Sequence, residues 1–208
     1  MKRRNFVKAT TLTAFTIRSA LANNNFSPTP DEVEGPFYPL AAQKDQDFDL
    51  TTIEGSTQSA LGQHIFIKGR VIDTEGNSVE NAIVDLWQAN AAGRYSHPRD
   101  PNTAALDKNF QGWAIVLSGK NGEFKFKTVL PGAYPASNNW MRPPHIHFKV
   151  TKKGYSDLTT QMYFPEQSLN KEDRLLQRKS PEQQQLMVAE KCIDQANCYR
   201  FRIIIKKA

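Results

Sequence analysis

Residues 112–130 read Gly112-Trp-Ala-Ile-Val-Leu-Ser118, then Gly119-Lys-Asn121-Gly122, then Glu123-Phe-Lys-Phe-Lys-Thr-Val-Leu130. In the second run Phe124, Phe126 and Thr128 alternate with Lys125 and Lys127. A period of two marks a strand with one face buried. Asn-Gly between two such runs is a strong hairpin signal, so 112–118 and 123–130 are expected to pair. Similar short runs lie on either side: His64–Asp73, Ala82–Gln88, His145–Thr151, Leu158–Phe164, Leu186–Ile193 and Tyr199–Lys206. Lys171–Lys179 suits a short helix inside a polar, Gln-rich stretch, and residues 23–63 carry no periodicity and read as a loop segment. About eight strands and little helix describe an all-β antiparallel sandwich or barrel, one domain over 64–208.

Composition narrows the function. With 39% hydrophobic and 10% aromatic residues the 208-residue chain has the means to bury a core. No apolar run reaches the roughly 18 residues a spanning helix needs. The net charge of +6 suggests nucleic acid until its location is read. Lys2, Arg3, Arg4, Lys8 and Arg18 crowd residues 1–22 without an acid, and beyond them 22 basic residues face 21 acidic ones. The basicity belongs to a leader, and no stripe of aromatic and basic residues supports strand binding. That leader has a charged start, a mildly apolar Ala9–Ile17 and an Ala20-Leu-Ala22 end, the plan of an export signal. Its Arg3-Arg4-x-Phe6-Val7-Lys8 resembles the twin-arginine form, which implies a periplasmic or secreted protein exported already folded. Cys192 and Cys198 stand across the tight polar turn Asp194–Asn197, and are expected to form a disulfide there. They do not form a Cys-x-x-Cys zinc motif.

The chemistry concentrates at His145 and His147. On a strand an i, i+2 pair projects both imidazoles from one face, a ready metal chelate. Arg142-Pro-Pro144 stiffens the approach to that strand. The pair alone would suit zinc or copper. Tyr134, in Pro131-Gly-Ala-Tyr-Pro135, and Tyr95, in Gly93-Arg-Tyr-Ser-His97, read either as packing anchors or as further ligands. Two tyrosinates with two imidazoles make a hard, anionic shell that prefers Fe(III).

Several ordered motifs carry a resemblance. They are Trp87-Gln-Ala-Asn90-Ala-Ala-Gly93-Arg-Tyr95-Ser-His97, Leu106-Asp107-x-Asn109-Phe110-x-Gly112, Pro131-Gly132-x-Tyr134-Pro135, Arg142-Pro-x-His145-Ile-His147-Phe148, Thr160-Gln161-x-Tyr163-Phe164 and Tyr199-Arg-Phe201. Together they resemble the intradiol ring-cleavage dioxygenases, with the protocatechuate-cleaving branch nearest, from about Glu34 to Ile205. The resemblance implies an immunoglobulin-like or transthyretin-like β-sandwich with long loops. It implies non-haem Fe(III) held by Tyr95 and His145 as equatorial ligands and Tyr134 and His147 as axial ones. It also implies a catechol-type substrate bound through both oxygens, release of Tyr134 as it binds, and O2 as co-substrate. Cleavage between the two hydroxylated carbons would give a cis,cis-muconate-type diacid. Arg142 matches the family's active-site arginine, and Gln161 a position that orients a ligand or an oxyanion. Glu34-Gly-Pro-Phe-Tyr38 matches a segment near the active-site mouth.

The remaining aromatic and histidine residues take plainer readings. Trp87 is expected in the core, His64 and His97 either toward solvent or behind the ligands without being ligands, and Tyr38 and Tyr163 in packing. Ala136 stands where relatives acting on protocatechuate often carry Trp, which leaves the catechol open. The N-terminal region is too short for the helical dimerisation and lipid-binding segment of the catechol branch, and one chain stands where the nearest relatives use two different subunits, so homo-oligomerisation is left open as well. The competing reading is a non-catalytic transthyretin-like binding module. A decayed relative should have lost at least one of the four ligands, and none is lost.

Overall fold

The computed structural model describes residues 25–41 and 45–208. The leader expected over residues 1–22 lies outside the described residues. Strand β1 (His64–Asp73) pairs with β4 (Glu123–Val129) on one side and β10 (Cys198–Ile205) on the other, and β9 (Glu190–Lys191) completes a four-stranded sheet in the order β4-β1-β10-β9. The second sheet runs β3-β2-β7-β8, from β2 (Ile83–Trp87), β3 (Trp113–Leu117), β7 (His145–Thr151) and β8 (Leu158–Tyr163). The inner faces interleave. Ile65, Ile67, Phe124, Phe126, Phe201 and Ile203 meet Val84, Leu86, Ile146, Phe148 and Val150 in one apolar cluster. Phe148 lies 5.5–6.2 Å from the rings of Phe124, Phe126 and Phe201. Alternation drives this packing, since every second residue of β1, β4 and β7 reaches the gap between the sheets.

Three expectations are corrected. β3 and β4 do not pair, although Asn121-Gly122 does form a tight turn in which Gly122 N donates to Gly119 O at 2.8 Å. β3 joins β2 and β4 joins β1, so the turn passes the chain from one sheet to the other. Either sheet accepts an amphipathic strand, and the turn dipeptide cannot decide between them. Next, β1 and β10 run parallel, in a sandwich whose other ladders are antiparallel. Finally, Lys171–Lys179 is not an α-helix: one 3-10 turn (Ser168–Lys171) ends at its first residue, a second (Leu176–Arg178) lies within it, and the α-helix falls later, at Pro181–Met187 (α1). Ser180 caps α1 in a reciprocal capping box with Gln183, and Pro181 opens it, so helix occupies the start of the expected Leu186–Ile193 strand.

The last hairpin survives in short form. β9 pairs with β10 through Tyr199↔Lys191 and Arg200↔Glu190, and Cys192 and Cys198 are bridged as expected. A two-stranded ribbon of β5 (Tyr134–Ser137) and β6 (Trp140–Arg142) is also present. These segments are too short for any period to reveal. Among the described residues no helix is long and apolar enough to cross a membrane.

Candidate metal centre

The site is built on the outer face of the second sheet. On β7 Ile146, Phe148 and Val150 point into the core, so His145 and His147 point out of it, their ring centres 5.0 Å apart. Their neighbours across the ladder are Tyr163 and Gln161 on β8, and Trp87 on β2 stands opposite His147. Trp87 stacks on the His147 ring at 4.8 Å and 14°. It is buried, as expected, and its work is to hold a histidine plane.

Tyr134 reaches the same face from β5, directly across from Arg142 on β6. Tyr95 arrives on the long connection after β2. Asn90 ties this loop by accepting from the amides of Ala92 and Arg94, and Asp100 accepts from Tyr95 N at 2.7 Å. Two glycines let the Tyr95 loop touch the Tyr134 turn. A Cβ on Gly93, at φ +79°, would stand 2.3 Å from the Ala133 carbonyl oxygen, and one on Gly132 would stand 2.5 Å from Gly93 N. The backbones can approach only because both residues lack that atom. Tyr95 and Tyr134 consequently meet edge to face at 5.5 Å, and Tyr134 lies 5.6 Å from His145.

All four rings are buried, with 2–8% of their surface exposed. His145 Nδ1 donates to the Pro143 carbonyl at 2.7 Å, which leaves Nε2 as an acceptor facing the Tyr134 hydroxyl at 3.5 Å. Burial first, and then the Arg142 charge, hold both imidazoles neutral; His147 is pushed down to about 3 and His145 well below its usual range. Burial likewise raises both tyrosines, Tyr95 further through its proximity to Tyr134. The Tyr95 hydroxyl and His147 Nδ1 are sealed from solvent with no hydrogen-bond partner among the described residues. A buried polar atom left unpaired is costly. A cluster of two imidazoles and two phenols with two such atoms suits binding of a cation, and the donor types fit Fe(III).

The segment Glu32–Tyr38 closes the site. Glu32 N donates to Thr159 O, Gln161 Nε2 to Val33 O, and Tyr38 to Asp85 at 2.7 Å. Gly35 lies against the His147 ring, and Phe37 packs 4.9 Å from Tyr95. His97 is buried beside Phe37, so of its two expected places it takes the one next to the site rather than the solvent; the packed N-terminal segment covers it.

Arg142 and Gln161 are both buried next to this cluster. Arg142 Nη2 donates to Gln161 Oε1 at 2.6 Å and to the Tyr163 hydroxyl at 3.0 Å, and Nε donates to Asp173 at 2.7 Å. Tyr163 is therefore more than packing. Asp173 was hidden from sequence reasoning, because Lys171-Glu-Asp-Arg174 reads as a solvated charge cluster.

A family model described as Dioxygenase matches residues 33–206. The protocatechuate 3,4-dioxygenase beta chain of Burkholderia cepacia is 44% identical over 134 residues, covering 63% of this chain and 57% of that one. The catechol 1,2-dioxygenase of Acinetobacter baylyi is 29% identical over 147 residues, covering 64% and 45%. The chain thus spans about half the length of these curated relatives. Among solved structures, the dioxygenase domain of a dioxygenase carbohydrate-binding fusion from Streptomyces sp. SirexAA-E superposes with a TM-score of 0.65 at 26% identity, covering 88% of this chain and all of that one. Fold, motif order and family match agree, and the chain belongs to the intradiol ring-cleavage dioxygenases.

Proposed function

We infer that this protein is a non-haem Fe(III) dioxygenase that cleaves a catechol-type ring between its two hydroxylated carbons, consuming O2 and giving a muconate-type diacid. The observation that carries this reading is the convergence of Tyr95, Tyr134, His145 and His147 in one buried cluster with two polar atoms left unpaired. These four side chains would hold the iron, His145 through the Nε2 that its bond to Pro143 leaves free. Bound ferric ion supplies Lewis acidity, drawing electron density from a chelated catecholate so that a ring carbon becomes open to O2.

The protein's own groups do the rest. Tyr134 and Arg142 face each other across the β5–β6 ladder, so the guanidinium would stabilise Tyr134 as a phenolate whether or not it is bound to metal. The guanidinium stabilises negative charge as it develops on the ring, and Gln161 braces it. Trp87 keeps His147 in plane, and Gly35 and Phe37 shield the cluster from water. Ala136, next to the Tyr134-Pro135 turn, does not favour a carboxylated ring, so the catechol panel includes rings with and without a carboxylate.

The immunoglobulin-like or transthyretin-like description, one domain over 64–208 behind a loop segment 23–63, and export through a cleaved leader are parts of the same reading. The Cys192–Cys198 bridge supports the last, since disulfides persist in oxidising compartments. The test is direct. Iron-loaded protein should bind about one iron per chain, absorb broadly in the visible through tyrosinate-to-iron charge transfer, and take up O2 with some member of a catechol panel. A colourless protein that binds zinc or copper equally well, with no O2 uptake on any catechol, would overturn it.

A further inference from the structure

Arg142 sits in an arrangement tighter than a charge donor alone requires. Its guanidinium carries five N–H donors in a rigid fork. Nε donates to Asp173 Oδ2 at 2.7 Å, and Nη2 is shared between Gln161 Oε1 and the Tyr163 hydroxyl. Nη1 has no hydrogen-bond partner among the described residues and is not fully sealed from solvent. The guanidinium carbon lies over the Trp140 ring, 5.4 Å from its centre. Asp173 is itself fully buried. Its Oδ1 accepts from the Tyr163 hydroxyl at 3.1 Å and from the amides of Leu175 and Leu176 at 3.2 and 2.9 Å. The carboxylate thus caps a 3-10 turn, so its own position is set by backbone.

We propose that Asp173 is the positioning residue for Arg142, turning the guanidinium so that its one unpartnered edge, Nη1, is presented to the bound ring. This rests on the function proposed above. The physical reason is that a buried guanidinium always finds an anion. Without Asp173 the nearest anions would be the tyrosinates of the metal centre or the substrate oxygens. Arg142 would then pair with the ground state rather than wait for charge to develop. With Asp173 in place the pair is electrically balanced, and the free edge acts by its direction. Gln161 and Tyr163 close the remaining side, so the fork has one orientation only.

The experiment compares wild type, Arg142→Ala, Asp173→Asn and Asp173→Glu as iron-loaded full-length protein. Asp173→Asn removes the charge and keeps an acceptor for the turn. Asp173→Glu keeps the charge and shifts it by a methylene, which guards against loss of folding in the Asn variant. Removing a partner that orients an active-site group commonly costs 10–100-fold. The expected result is a kcat lowered about 10–100-fold in both Asp173 variants, KM for the best catechol changed far less, and iron content and visible band as in wild type. In the Arg142→Ala background Asp173→Asn should add nothing further. A second readout needs no turnover: in iron-free protein the Arg142 Nε–H resonance should be slow to exchange in wild type and move in both Asp173 variants. Wild-type kcat in the Asp173 variants beside a slow Arg142→Ala, or an unmoved Nε–H resonance, would overturn the positioning role. Absence of O2 uptake by wild type on every catechol would instead overturn the function on which it rests.

Discussion

His145 and His147 were legible because a strand has a period of two, and their shared face needs no tertiary information. Tyr95 and Tyr134 were not legible in that way, since 39 residues separate them and each alone reads as a packing anchor. The pairing depends on glycines. Gly93 and Gly132 let two loop backbones touch, and only then do the phenols meet. Replacing Tyr95 with Phe tests the ligand set at this scale. The ring packing against Phe37 and Tyr134 is kept, so the fold should persist. One phenolate is lost, so iron affinity should fall and the visible band weaken or shift; an unaltered spectrum in both Tyr95→Phe and Tyr134→Phe would remove the two tyrosines from the centre.

At the scale of elements, the connections matter more than the strands. The Tyr95 loop and the β5–β6 ribbon are joined at one point of backbone contact, where Gly93 holds φ +79°. A left-handed conformation costs an L-residue about 1–2 kcal/mol before any clash, and here the added Cβ also meets the Ala133 carbonyl. Gly93→Ala should therefore push the two tyrosines apart and lower iron content, while the sandwich, whose core lies elsewhere, still forms; metal analysis together with circular dichroism separates the two effects. The Cys192–Cys198 bridge belongs to this scale too. It closes a loop of only a few residues, so chain entropy predicts about 2 kcal/mol of stabilisation, its main action being to hold the register of β9 on β10. Cys192→Ser should lower the unfolding free energy from denaturant titration in non-reducing buffer by about that amount, and no change there would leave the bridge without a stabilising role.

For the whole molecule, acid is the informative perturbation. Burial works to raise Asp49 and Asp73, but hydrogen bonds from Thr51 and Lys127 to the first, and from Asn77 and Glu75 N to the second, outweigh it and hold both below the usual carboxylate range. A carboxyl whose pKa is lower folded than unfolded adds stability above its unfolded value near 3.9, and that contribution is lost as pH falls through the folded value. Asp49 ties the N-terminal segment to β4 through Lys127, and Asp73 closes the turn after β1. Unfolding free energy should thus be flat from about pH 7 to pH 5 with respect to these two groups and drop below about pH 4. Denaturant titrations of Asp49→Asn and Asp73→Asn should show a smaller drop than wild type over that acid range.

What the sequence determined by itself was whatever depends on local period: the all-β class, most strand positions, β1 to the residue, and the outward histidine pair. The hairpin at Asn121-Gly122 misled because its turn is local and its pairing is not. An amphipathic strand satisfies either sheet equally, and the choice is made when Phe124 and Phe126 close on Phe148 from the far side of the core. The same holds for Asp173. In the chain it is one charge among four consecutive ones. Only after β6 and the 3-10 turns are brought together does it become the buried anion opposite Arg142, because a desolvated guanidinium needs a partner that residue order alone does not name.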